Sequence, residues 1–171
     1  MKPAGEYPTG GAGLGAVHLG SQGSVILSGD GRFLQVTNAG SNDVAVFAVH
    51  HDVLELVRTI PSNGGAPVSV TEHDSLVYVL NTGDPCLVGF TLDADGMQVV
   101  PGSRRDLAAG ADPAQVGFSP DGATVVVTQG VRTRWSPFLS VRAGCWATHG
   151  RSTCRVRRRT ASPSPIVRHS L

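Results

Sequence analysis

The chain has 171 residues, room for one domain, and its 22 glycines and 11 prolines make it rich in turns without reaching low-complexity composition. Charged residues are only 16% of it, no apolar run approaches the ~18 residues of a transmembrane helix, and three cysteines are too few for a disulfide-dense scaffold. The net charge of +1 hides a division: all 13 acidic residues lie between Glu6 and Asp121, whereas residues 130–171 carry nine arginines and no Asp, Glu or Lys. No membrane partner is expected. Residues 1–15 lack the apolar core of a secretory signal, so the cytoplasm is the default expectation.

Strand signals follow one another from the start of the body. Ser24-Val25-Ile26-Leu27 is a short apolar run closed by Ser28-Gly29-Asp30-Gly31. Phe33 to Thr37 is a second, ended by Asn38-Ala39-Gly40. Asp43 to Val49 alternates, and Leu54 to Ile60 is a fourth run before Pro61-Ser62-Asn63-Gly64-Gly65. Short runs with period-two alternation and turn residues between them predict antiparallel β structure, and no segment has helical periodicity.

The layout then recurs as runs over Pro67 to Thr71, Leu76 to Leu80, Leu87 to Leu92 and Met97 to Val100. A third copy opens at Pro113, turns at Ser119-Pro120-Asp121-Gly122 and continues from Thr124 to Thr128. Asn38 and Asn81, and likewise Phe47 and Phe90, are one repeat of about 43 residues apart. Repeats of roughly 40–50 residues with four strands each are the signature of β-propeller blades. The fold class expected is therefore all-β, a partial β-propeller of about two and a half four-stranded blades, followed by a basic tail without regular structure. The blades fall near 5–62, 63–108 and 109–129, and the tail covers 130–171. Two blade edges left open predict aggregation of the isolated chain.

Particular segments carry a family resemblance. Tyr7-Pro8-Thr9-Gly10-Gly11, His18-Leu19-Gly20-Ser21-Gln22-Gly23-Ser24, Val36 to Asp43, Leu76 to Asn81 and Gly117 to Gly122 resemble the lactonase-family seven-bladed β-propellers. That group includes 6-phosphogluconolactonase-like, 3-carboxymuconate cyclase-like and YVTN-repeat proteins. The resemblance covers about residues 5–129 and implies hydrolysis or isomerisation of a sugar or muconate-type lactone, a small-molecule lactone as partner, and no cofactor. Family members are about twice this length or more, so the chain reads as an open fragment, inactive as it stands. Whether it is an enzyme, and whether it oligomerises, the residues leave open.

After Thr128 the resemblance calls for another strand and a Thr-Pro-aromatic-Gly-Phe-Ala-Phe blade opening, and neither is there. Arginine without lysine, with Trp135, Trp146, Cys145 and Cys154, resembles GC-rich coding sequence read out of frame. With wobble bases chosen freely, a shifted frame yields acidic, strand-like text and that blade opening, which makes 130–171 a frameshift candidate. The alternative is a true basic arm that binds phosphate backbones without sequence preference; no specific nucleic acid is predicted. A further alternative is a non-catalytic propeller that presents an end face to a protein or cell surface.

Candidate chemistry in the body is sparse. Gln22, Ser24, Ser69 and Gln115 belong to the innermost strands and are the channel-lining candidates; the favoured reading of them is ordinary polar residues beside a solvent-filled channel. His18 is a weak catalytic candidate because it precedes an inner strand within a family-like segment. His50 and His51 read as a turn, and His73 with Glu72 and Asp74 as a turn equivalent to Asp30-Gly31. Lactone hydrolysis needs a group that polarises the carbonyl and a base for water. Glu55, Glu72, Arg58, Arg104 and Arg105 all fall in expected turns or outer strands, so no constellation forms. No metal site is expected, since Cys86 is alone in the body and Cys145 and Cys154 lack partner ligands.

Overall fold

The computed structural model describes residues 5–15, 22–51, 53–129 and the backbone of 139–142. His18 lies outside the described residues, as do Trp135, Trp146, Cys145 and Cys154, so the expectations placed on them have no structural counterpart. The described chain is strands and turns without a helix. Sheet 1 is β1 (Val25–Leu27), β2 (Phe33–Asn38), β3 (Asp43–His50) and β4 (Val53–Pro61), in that spatial order. Sheet 2 is β5 (Pro67–His73), β6 (Leu76–Asn81), β7 (Cys86–Asp93) and β8 (Gly96–Val99), with β9 (Arg105–Asp106) also paired to β7. Sheet 3 is β10 (Pro113–Phe118), β11 (Thr124–Gln129) and β12 (Leu139–Arg142). Every pairing is antiparallel. β12 lies inside the arginine-rich stretch, where no strand was expected, and pairs Leu139 with Val127; the rest of 130–171 lies outside the described residues.

Local sequence accounts for the strand ends. Pro67 and Pro113 open β5 and β10, where a missing N–H is tolerated, and in each strand the register shifts at the next residue. Gly31 and Gly122 take φ +74° and +67° in the first-to-second strand turns, a conformation glycine adopts without penalty. The fourth strand of sheet 2 is split into β8 and β9. Ser103 fills the gap: its hydroxyl donates to the Gly89 carbonyl at 2.9 Å and accepts from the Gly89 N–H at 3.0 Å. A side chain thus replaces the missing ladder bonds at a buried position.

Alternation puts opposite faces of sheet 2 into two cores. Val77, Val79, Val88, Phe90 and Met97 pack against Phe33, Val44, Val46 and Ile60 of sheet 1. Tyr78, Leu80 and Leu87 pack against Val116, Val125 and Val127 of sheet 3. Each such side chain, fully buried, contributes roughly 1.5–3 kcal/mol. Sheet 2 is therefore covered on both faces, and the three sheets stack in chain order as successive blades do.

Candidate functional site

The innermost strands β1, β5 and β10 meet along one line. The Val70 N–H donates to the Gly23 carbonyl at 2.9 Å, joining sheet 2 to sheet 1. The Val116 N–H donates to the Ser69 hydroxyl at 3.2 Å, joining sheet 3 to sheet 2. Ser24 and Gln115 occupy equivalent positions: their carbonyls accept from the Thr37 and Thr128 hydroxyls at 3.4 and 3.5 Å. The four candidates differ in surroundings. Gln22 is exposed, Ser24 and Gln115 are half-buried, and Ser69 is fully buried with its hydroxyl engaged between sheets.

At one end of these strands lies a polar cleft of about 180 Å³, lined among others by Ser28, Asp30, Arg32, Glu72, Asp74 and Ser75. Glu72 spans it. One carboxylate oxygen accepts from the Gly29 N–H at 2.8 Å and the other from the Ser75 N–H at 2.7 Å, so a sheet 2 side chain fastens the sheet 1 turn. Glu72 sits on the inner strand β5, which corrects its expected place in a turn or outer strand. His73 likewise ends β5, and the turn is Asp74-Ser75, both at positive φ. Strand pairing of His73 with Leu76 carries β5 further than the apolar run indicates.

The turns of sheets 1 and 3 share one hydrogen-bond plan. Asp30 accepts from the Arg32 N–H at 3.0 Å, the Ser28 hydroxyl at 2.7 Å and the Arg32 guanidinium at 2.6 Å, which lower its carboxyl to about 2. Asp121 accepts from the Ser119 hydroxyl at 2.5 Å and the Ala123 N–H at 3.1 Å, and these too hold its carboxyl below the usual range. The His73 ring lies 5.6 Å from that of Phe118, with its edge over Gly122, where no Cβ would fit. Carboxylates held ionised in this way are weak bases, since an effective general base titrates near the working pH.

At the opposite end Arg104 ties the loops of sheet 2 together. Its guanidinium donates to Asp84 at 2.8 Å, Asp106 at 2.8 Å and the Asn63 carbonyl at 2.9 Å. Arg104 first, then the Gly65 N–H, holds the Asp84 carboxyl below its usual range. Nearby, burial and then the Asp84 charge push the Cys86 thiol up, away from the reactive thiolate. Glu55 and Arg58 lie on the outer strand β4, and Arg105 on β9, as expected from the sequence. His50 ends β3 and lies 3.5 Å from Glu55, both exposed. Among the described residues no group of three or more His, Cys, Asp or Glu side chains is placed to hold a metal ion.

The sheet order and the repeated turns agree with the comparisons. The signature described as Lactonase, 7-bladed beta-propeller matches residues 7–102, and the chain belongs to that family. No curated protein matches it. Among solved structures, the periplasmic gluconolactonase of Pseudomonas aeruginosa is 29% identical with a TM-score of 0.53, over 69% of this chain and 34% of its own. A Bacteroides fragilis protein provisionally named 6-phosphogluconolactonase superposes at 0.56 with 17% identity, over 69% and 33%. A Bacteroides uniformis protein with the same provisional name superposes at 0.57 with 14% identity, over 77% and 40%. The chain thus spans a third to two fifths of the length of these structures.

Proposed function

We propose that the chain is a section of a lactonase-like propeller whose lactone chemistry belongs to a complete ring, and that the chain itself does not catalyse it. The implied reaction is hydrolysis or isomerisation of a sugar or muconate-type lactone. The observation that carries the reading is the state of the carboxylates at the inner-strand ends. Asp30, Glu72 and Asp121 each already accept two or more hydrogen bonds from the turns they build. Carboxylates engaged in this way are weak bases, and among the described residues no free guanidinium stands beside them to polarise a carbonyl: Arg32 is paired with Asp30. The test is hydrolysis of gluconolactone and 6-phosphogluconolactone by the purified chain, beside the Pseudomonas enzyme. The expected rate is the spontaneous one. Saturable hydrolysis that co-purifies with the chain would overturn the proposal.

Residues 130–171 are read in the same proposal as out-of-frame sequence. The abrupt exchange of acidic for arginine-rich composition after Gln129 supports this. Nucleotide sequence across the codons for Val127 to Arg134 tests it: a shifted frame that continues into blade sequence is expected, and its absence would return the arginine arm as a true segment.

A further inference from the structure

The chain has four asparagines, and Asn63 alone is followed by glycine. The neighbour matters because the main-chain nitrogen of the next residue is the group that attacks an asparagine side chain, and glycine puts no Cβ in its way. The fold separates the four further. Asn38 is buried and its amide donates to Asp43 at 2.6 Å. The Asn42 amide oxygen accepts from the Ala66 N–H at 2.7 Å. Asn81 is fully buried, and the nitrogen that follows it, on Thr82, donates to the Ala66 carbonyl at 3.1 Å. Asn63 is exposed, and its side chain has no hydrogen-bond partner among the described residues. The Gly64 N–H reaches the Ser62 hydroxyl at 3.4 Å, beyond the usual limit of about 3.2 Å.

Packing explains why this pair stands here. The linker from β4 to β5 repeats residues 9–11: Gly64 lies against Asn81 as Gly11 lies against Asn38, and a Cβ at either glycine would collide. Asn63 then takes the place of Gly10, with φ +56° against +73°. After glycine, asparagine is among the residues that enter this left-handed region most readily. Arg104 completes the arrangement. Asp84 and Asp106, each at 2.8 Å, hold its guanidinium, which donates to the Asn63 main-chain carbonyl at 2.9 Å. That oxygen takes up negative charge when the Gly64 nitrogen loses its proton, so a cation fixed beside it favours the nucleophilic form.

We propose that Asn63-Gly64 is a self-modifying site that converts to isoaspartate, with Arg104 promoting both steps. The Gly64 nitrogen gives its proton to solvent and forms a bond to Asn63 Cγ. The Cγ–Nδ2 bond breaks, Nδ2 takes up a proton, and ammonia leaves a five-membered imide. Water then opens the ring at one of two carbonyls. Attack at Cγ restores the main chain and leaves aspartate. Attack at the main-chain carbonyl breaks its bond to Gly64 and leaves isoaspartate, the chain now running through the side-chain carbon. Arg104 faces the second carbonyl, and polarising it directs water there.

The test is incubation of the full chain at neutral pH and physiological temperature, folded and in urea, followed by peptide mapping and labelling with an isoaspartate-specific methyltransferase. In the folded chain the peptide holding Asn63 should gain one mass unit while those holding Asn38, Asn42 and Asn81 stay unchanged. Its ratio of isoaspartate to aspartate should exceed the ratio in urea, where Arg104 is no longer in place, by ~threefold, a modest effect for one charged donor at an exposed carbonyl. Asn63→Gly, which keeps a residue suited to the left-handed position, should fold and take no label. A folded chain intact at residue 63 while the chain in urea converts overturns the proposal, because the fold then protects the site. So does folded-state conversion at another asparagine in preference to Asn63, a product ratio equal to that in urea, or label on the Asn63→Gly chain.

Discussion

At Asp30 and Asp121 the same turn is built twice, 91 residues apart, and serine, aspartate and glycine have the same tasks in both. The serine hydroxyl accepts from the N–H that starts the next strand: Phe33 at 2.9 Å in one, Thr124 at 3.0 Å in the other. The aspartate collects the turn's remaining donors. Folding therefore favours the ionised Asp30: its carboxyl lies at about 2 in the folded chain against an ordinary 3.8. The sign follows from linkage, since the unfolded chain binds the proton more readily. This contribution is complete above about pH 5 and is lost as pH falls through about 2. Thermal melts of the wild type and Asp30→Asn should differ most at neutral pH and converge in acid. A difference that grows in acid would contradict the assignment. Gln35 presents the reverse case. It is fully buried between sheets 1 and 2, opposite Val46, and neither amide atom has a hydrogen-bond partner. Desolvating an amide without return costs about 1–3 kcal/mol, so Gln35→Met should stabilise the chain by about 1 kcal/mol in urea titrations.

At the scale of strands, β7 shows how a sequence pattern becomes a sheet. Its pairing with β6 runs unbroken from Asn81↔Cys86 to Leu76↔Thr91, and its outer side is served by β8, β9 and Ser103 in turn. Removing the Ser103 hydroxyl leaves the buried Gly89 N–H without its partner, while the Gly89 carbonyl keeps the Val100 N–H at 2.9 Å. Ser103→Ala should therefore cost about 1–3 kcal/mol, read from urea midpoints at unchanged slope. Strand order, the three sheets and the Asp-Gly turns were legible in the sequence, because period-two alternation and the 43-residue repeat are local or translational signals. The extension of β5 to His73 was not. Glu72-His73 is polar, and its strand conformation comes from pairing with β6 and from the Gly29 N–H of another sheet. The 43-residue repeat sets Glu72 at the position of Gly29, a turn residue, and so pointed to a turn there. The burial of Ser69 was equally hidden: Ser24, Ser69 and Gln115 look alike along the chain, and only the approach of β10 to β5 closes Ser69 to solvent.

For the whole molecule, the deciding fact is that sheet 2 alone has described sheets on both faces. Sheets 1 and 3 each have one face that no other described sheet covers. Amide hydrogen exchange tests it most directly, because exchange from a core strand reports openings near the global stability while uncovered strands open locally. In dilute solution β6 and β7 should exchange slowest and β1 and β2 far faster. Exchange that is uniform across the three sheets, or fastest in β6 and β7, would contradict the arrangement.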